Sequence, residues 1–271
     1  MSDKNHYTIV DGKVVTRSLE AHIVDHCNLR CRQCCSLSPY LEPAWTEPER
    51  LAQDLVLAKR VLRPTYFKLV GGEPLLHPRL VECLEAVRHS AMAEIVSLTT
   101  NGVLLPQAPE AMWRLLDHMT LSLYPKPRLS AERLDEIRAQ ADRFGVELNI
   151  KTQDRFEQMH LDHERADPTA TRDVFAQCWL RRRCHLIRDG YFYTCTLPVH
   201  RQSFQGSAVV AASQDGLRLH AGPGLVEELK AYLERRDPLR ACSQCLGGQG
   251  ELFAHRQLHL REIENRDLAC R

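Results

Sequence analysis

The chain has 271 residues, of which 44% are hydrophobic and 26% charged, and its formal net charge is +1. That size and composition fit one large globular domain or one domain with an appendage, and the near-neutral charge excludes a general attraction to nucleic acid or anionic membranes. The first residues lack the basic-then-apolar layout of a signal peptide and no apolar run is long enough to span a bilayer, so the expected compartment is the cytoplasm. There the eleven cysteines read as ligands or catalysts and not as disulfides.

In chain order, LEAHIVDHC (residues 19–27) predicts a buried strand running into a loop. The loop, HCNLRCRQCC, carries Cys27, Cys31, Cys34 and Cys35. A helix is expected over TEPERLAQDLVLAKRVL with Thr46 as its cap. TYFKLV is a second strand, stopped by GGEPLLHP. A helix over residues 79–89 follows, with Cys83 on its apolar face, then a third strand, EIVSLT, ending in TNG. A helix near 109–117 precedes the strand HMTLSLY, which PKP ends. The helix SAERLDEIRAQADRFG has a Ser130 cap and a Gly145 stop, and VELNIKT is a fifth strand. A sixth strand is expected near 155–165.

Strand and helix alternate from residue 19 to 152, which predicts a parallel sheet with helices outside it. Each polar or Gly-rich interruption follows a strand directly, so these segments should meet on one face, where parallel barrels build their sites. The expected class is α/β, a partial (β/α)6 TIM-like barrel with a small C-terminal α+β extension. The expected division is an N-terminal extension (1–18), the barrel (19–165) and the extension domain (166–271).

Cys27, Cys31 and Cys34 are spaced C-x3-C-x2-C. One short loop can thus offer three thiolates to a cubane cluster and leave one iron open. Zinc is the alternative, although structural zinc sites more often pair a CxxC with a second, distant pair. Cys35 adjoins the last of the three and reads as packing or as a free thiol.

Taken together, CNLRCRQC, VGGEPLLHP and TTNG resemble the radical S-adenosylmethionine (SAM) superfamily over roughly residues 19–165. The resemblance implies a SAM-binding 4Fe–4S cluster on Cys27, Cys31 and Cys34. It also implies SAM contacts along Gly71, Gly72, Glu73 and Pro74, and further contacts from Thr100, Asn101, Ser122 and Lys151. Glycines suit such a role because they let backbone approach a ligand closely. Gln33 departs from the family pattern, which has a bulky or aromatic residue before the third cysteine. The implied activity is reductive cleavage of SAM to a 5′-deoxyadenosyl radical that abstracts hydrogen from a substrate. An external flavodoxin- or ferredoxin-type protein would supply the electron, and neither nucleic acid nor membrane is an expected partner.

Beyond residue 165, CWLRRRCHLIRDGYFYTC shows two alternating runs around DG, a hairpin signal. A helix over PGLVEELKAYLERR leads to ACSQC. This half resembles the twitch and SPASM auxiliary-cluster extensions of radical SAM enzymes. Cys195, Cys242 and Cys245 are the implied ligands of an auxiliary 4Fe–4S cluster, with the fourth place open between Cys178 and Cys184; zinc is again the alternative. Arg181–Arg183 read as a solvated face, or as a partner for an anionic substrate.

Two functions stay open. One is oxidation or epimerisation of a small polar substrate (a sugar, aminocyclitol or nucleotide) in a natural-product pathway, with Cys35 or Cys270 as possible hydrogen donors in an epimerase. The other is maturation of a ribosomal peptide by cross-linking or residue modification. Tyr40, Tyr124, Arg155, His160 and Tyr191 are candidates to reach the barrel mouth.

Overall fold

A computed structural model describes residues 7–205 and 214–269. Strands β1 (Thr8–Val10) and β2 (Lys13–Val24) form a hairpin through Asp11 and Gly12, both at positive φ. The first barrel strand therefore begins at Lys13, earlier than the expected residue 19. The parallel order continues through β3 (Leu62–Gly71), β4 (Ile95–Thr100), β5 (His118–Leu123) and β6 (Glu147–Thr152).

Helices α1 (Pro48–Ala58), α2 (Leu80–Ser90), α3 (Glu110–Arg114) and α4 (Ala131–Phe144) connect these strands and pack side by side in that order. Glu47, not Thr46, stands at the N-cap of α1; the Thr46 hydroxyl instead bonds the carbonyl of His22. Ser130 does cap α4, accepting from the N–H of Arg133, and Gly145 stops it in a left-handed conformation at φ 68°.

The sixth parallel strand is not near 155–165. It is β8 (Leu186–Arg188), which joins the other edge of β2 with Glu20 opposite Leu186. β9 (Tyr191–Tyr193) returns antiparallel through the Asp189–Gly190 turn, and β10 (Leu217–Arg218) follows it. Both turn residues have positive φ, as a two-residue hairpin requires. β7 (Arg155–Glu157) leaves the main sheet and pairs with β11 (Leu252–Ala254). Further helices among the described residues are α5 (Pro168–Gln177), α6 (Leu197–Gln205), α7 (Leu225–Leu233) and α8 (Leu260–Ala269).

Alternation along the strands separates two environments. Leu19, Ala21 and Ile23 of β2, Phe67 and Leu69 of β3, and Met119 and Leu121 of β5 belong to the main core, as do Leu55, Leu84 and Cys83 of the helices. The alternate positions carry Glu20, His22, Lys68, Thr99, Thr120 and Ser122, and these line a cavity. A closed barrel fills such positions with branched aliphatics; here they are polar and ionised. The sheet has two free ends, β6 and β10, so the barrel is open. No described helix is long and apolar enough to cross a membrane.

Candidate active site

The cavity measures about 570 Å³ and is bounded by the carboxyl ends of the parallel strands and by the second half of the chain. Cys27, Cys31 and Cys34 line it, and Cys35 opens into it. The loop that carries them leaves β2 after Val24 and is held at its root by Asp25. This carboxylate makes a two-pronged pair with Arg188 of β8, whose Nη2 donates to Oδ2 at 2.9 Å. The end of β3 closes on the same root: the N–H of Gly72 donates to the carbonyl of Val24 at 2.7 Å and that of Glu73 to His26 at 3.1 Å.

Burial pushes the Cys27 thiol up to about 12, with the Glu73 carboxylate and the other two thiols adding to the effect. Burial also raises Cys31 and Cys34. Three thiols that resist ionisation one by one become good ligands when a cation compensates their charge, since metal binding releases their protons. Soft thiolates on one loop suit an iron–sulfur cluster, so the donor set fits the group implied by the sequence.

The residues expected around SAM separate into two sets. Gly71, Gly72, Thr100, Asn101, Ser122 and Lys151 line the cavity; Glu73 and Pro74 are not among its lining residues. Glu73 is completely buried and accepts from the Thr100 hydroxyl (2.6 Å), the N–H of Asn101 (2.8 Å) and the N–H of Leu75 (3.1 Å). It ties GGEP to TTNG from behind the wall. Asn101 in turn donates to Asn28 Oδ1 at 2.7 Å, beside Cys27. The glycines meet protein on the side where a side chain would lie: a Cβ on Gly72 would lie 2.0 Å from the His26 carbonyl oxygen, and one on Gly71 would lie 2.3 Å from that of Val24. Close backbone packing against the cysteine loop is thus a sufficient reason for both.

Sequence reading missed the ionised wall. Lys68 Nζ donates to Glu20 Oε1 at 3.2 Å, His22 Nε2 lies 3.7 Å from Glu20 Oε2, and His22 Nδ1 meets His200 Nε2 at 2.8 Å. Burial works to raise the Glu20 carboxyl, but His22 and Lys68 outweigh it and hold the group below its usual range. Burial also keeps His200 neutral, well below the usual histidine value. The available signal was Glu20 and His22 alternating with Leu19, Ala21 and Ile23 along an otherwise buried run of strand.

Cys178, Cys195, Cys242 and Cys245 line the same cavity. Cys178 closes α5, Cys195 follows β9, and the CxxC lies on a 3-10 turn, Arg240–Gln244. Asp215 accepts from the N–H groups of Arg240 (2.6 Å) and Ala241 (2.9 Å) at the start of that turn, and Arg165 Nη1 donates to the carbonyl of Cys245 at 2.6 Å. Gly247, at φ 63°, brings the CxxC loop against α5: a Cβ there would lie 3.6 Å from that of Cys178. Burial raises Cys195 strongly, and the thiolates that add to the effect are Cys242, Cys245 and Cys178. The Cys184 thiol, pushed up to about 12 by burial, feels Glu20, Cys35 and Lys68 before Cys178. It faces the ionised wall. Cys270 lies outside the described residues. Tyr124, Arg155 and His160 line the cavity and Tyr40 and Tyr191 do not, while Arg181 reaches it with its guanidinium 4.1 Å above Phe175.

Residues 22–124, from β2 through the fifth strand, match the radical SAM superfamily. That stretch of the chain is similar to a radical SAM domain. Its curated relatives include GTP 3',8-cyclases of Microcystis aeruginosa, 37% identical over 101 residues (35% of this chain, 30% of the relative), and of Picosynechococcus sp., 34% identical over 125 residues (44% and 37%). These matches span about a third of the relatives' length. Among solved structures, BtrN in complex with AdoMet and 2-DOIA superposes with a TM-score of 0.47 at 12% identity, covering 80% of this chain and 87% of that one. The peptide-bound anSMEcpe reaches 0.47 at 14% identity, covering 94% and 96%. Radical SAM proteins use a 4Fe–4S cluster and SAM, and the matched residues here present a three-cysteine loop to the shared cavity.

Proposed function

We propose that this protein cleaves SAM reductively on a cluster held by Cys27, Cys31 and Cys34, and uses the 5′-deoxyadenosyl radical to oxidise a small polar molecule such as a sugar, aminocyclitol or nucleotide. The observation that carries this reading is one cavity lined both by the two thiol sets and by Glu20, His22 and Lys68. Once a hydrogen atom has left an alcohol carbon, forming the ketone releases one proton and one electron. Glu20, held as a carboxylate, is placed to take the proton and pass it towards His22 and His200. Cys178, Cys195, Cys242 and Cys245 would hold an auxiliary cluster suited to the electron. Lys68 offers a donor that orients a polyol or a phosphate, while Ser122 and Lys151 stay with SAM.

Epimerisation is the second reading, supported by Cys35 and Cys184 on the same cavity wall; either thiol could return a hydrogen atom to the opposite face of the substrate. A small-molecule chamber favours both readings over peptide maturation. The similarity to GTP 3',8-cyclases puts GTP and other nucleotides in the substrate panel.

The test is anaerobic reconstitution with iron and sulfide, a strong reductant or a flavodoxin-type donor, and SAM. Formation of 5′-deoxyadenosine that disappears in Cys27→Ala, Cys31→Ala and Cys34→Ala supports the reading, and undiminished formation in the triple variant ends it. With a substrate from the panel, a ketone indicates oxidation and incorporation of solvent deuterium indicates epimerisation. Glu20→Gln should retain SAM cleavage and lose turnover.

A further inference from the structure

Residues 255–258 leave β11 as an extended segment and run across the cysteine loop. The pairing is antiparallel, with Cys31 opposite Gln257. The N–H of Arg32 donates to the carbonyl of Arg256 at 2.9 Å, and the N–H of Leu258 donates to that of Arg30 at 2.7 Å. The Gln257 side chain adds a third link, accepting from the N–H of Arg30 at 2.5 Å. The loop carrying the first thiol set is therefore closed by backbone that arrives from the second half of the chain.

In an extended segment residues i and i+2 share a face, and here that face is turned to one sulfur. His255 Nε2 lies 3.2 Å from Cys31 Sγ and Gln257 Nε2 lies 3.4 Å from it. The two nitrogens are 3.2 Å apart because they converge on the same atom. The His255 ring is fixed by stacking on Tyr124, with centroids 5.0 Å apart, and lies 5.3 Å from Phe156 of β7. Gln257 is fixed by its second amide contact, to the Lys126 carbonyl at 3.1 Å. When Cys31 is a metal-bound thiolate, an Nε2 lone pair facing it would repel, so the ring proton belongs on Nε2 and both side chains act as donors.

We propose that His255 and Gln257 are positioning residues for the SAM-binding cluster, donating two hydrogen bonds to the ligand sulfur of Cys31 and thereby raising the reduction potential of that cluster. Donors on a ligand sulfur stabilise the more negative, reduced state, and such bonds are among the determinants of cluster potentials. The strap also makes the first thiol loop sensitive to the seating of the second half, because β11 rests on β7 and the segment before it packs under Gln158. This inference rests on the reading of Cys27, Cys31 and Cys34 as cluster ligands.

The experiment follows the EPR component that changes when SAM is added, in the full reconstituted chain, through a potentiometric titration. His255→Phe keeps the aromatic stack and removes the donor; Gln257→Leu removes the second donor; His255→Gln restores a donor at the first position. His255→Phe and Gln257→Leu should each move the midpoint to more negative potential with unchanged iron content, and His255→Gln should return it towards the wild-type value. If Gln257→Leu loses iron because its link to Arg30 is gone, the two His255 variants decide. A midpoint in His255→Phe equal to the wild type, with iron intact, overturns the proposal. Absence of any SAM-responsive signal from the iron-loaded wild type overturns the ligand reading first, and the proposal with it.

Discussion

Replacing Arg188 by Met tests the link between the two halves of the chain. Its guanidinium pairs with Asp25 by two prongs, and the side chains are only 13% and 5% exposed. Taking away one partner of a buried pair leaves the other charge unpaired, at a cost of about 3–5 kcal/mol. For a chain of this size that corresponds to a fall in Tm of roughly 6–20 °C. A surface pair calibrates the measurement: Arg133–Glu136 has side chains 41% and 62% exposed, and removing it should cost about 0–1 kcal/mol. Equilibrium urea unfolding of reduced, metal-free protein near neutral pH gives both numbers. The double variant Arg188→Met with Asp25→Asn should recover part of the loss, because it removes the orphaned charge. If Arg188→Met unfolds within about 1 kcal/mol of the wild type, the buried pair is not what roots the cysteine loop.

Gly72→Val should lose iron at the first site along with SAM binding, because its side chain would meet the His26 carbonyl and not a ligand; iron analysis with normal loading and weakened SAM binding alone would contradict this. Cys178→Ala should lower iron from about eight to about four per chain, as expected for two separate 4Fe–4S clusters, while Cys184→Ala keeps all of it. Equal losses in both variants would place Cys184 among the ligands. Burial raises Asp54, beside the Asp189–Gly190 turn, to about 6 from a reference of 3.8, outweighing Arg50. The folded chain then keeps a proton that the unfolded chain has released between those values, so stability should fall as pH rises through that window, by at most on the order of 3 kcal/mol. Asp54→Asn should flatten that part of the profile, and an unchanged slope would refute it.

The strands that build the mouth were legible because each combines an apolar run with a turn signal at its end, and α4 announced both of its ends through Ser130 and Gly145. The three-thiol loop was legible because Cys27, Cys31 and Cys34 are close together in the sequence. What escaped the sequence depends on distant contacts. β8 is three residues long and becomes a barrel strand only by pairing with β2, about 165 positions earlier. The segment expected as the sixth strand is captured instead by β11. Spacing could not show that the Gly247 loop approaches α5 at Cys178, since that contact joins distant parts of the chain. Glu20, His22 and Lys68 were visible as letters, but a buried strand and a chemical wall differ only in what fills the space beside them.

Because β8 pairs directly with β2, the second half is not a detachable cassette. Truncation after residue 165 would strip β2 of its neighbour on one side, leaving unpaired backbone groups next to the roots of the cysteine loop. It would also leave Asp25 without Arg188. Transplanting another enzyme's C-terminal region to change substrate would therefore have to carry over a matching strand register as well as a set of thiols.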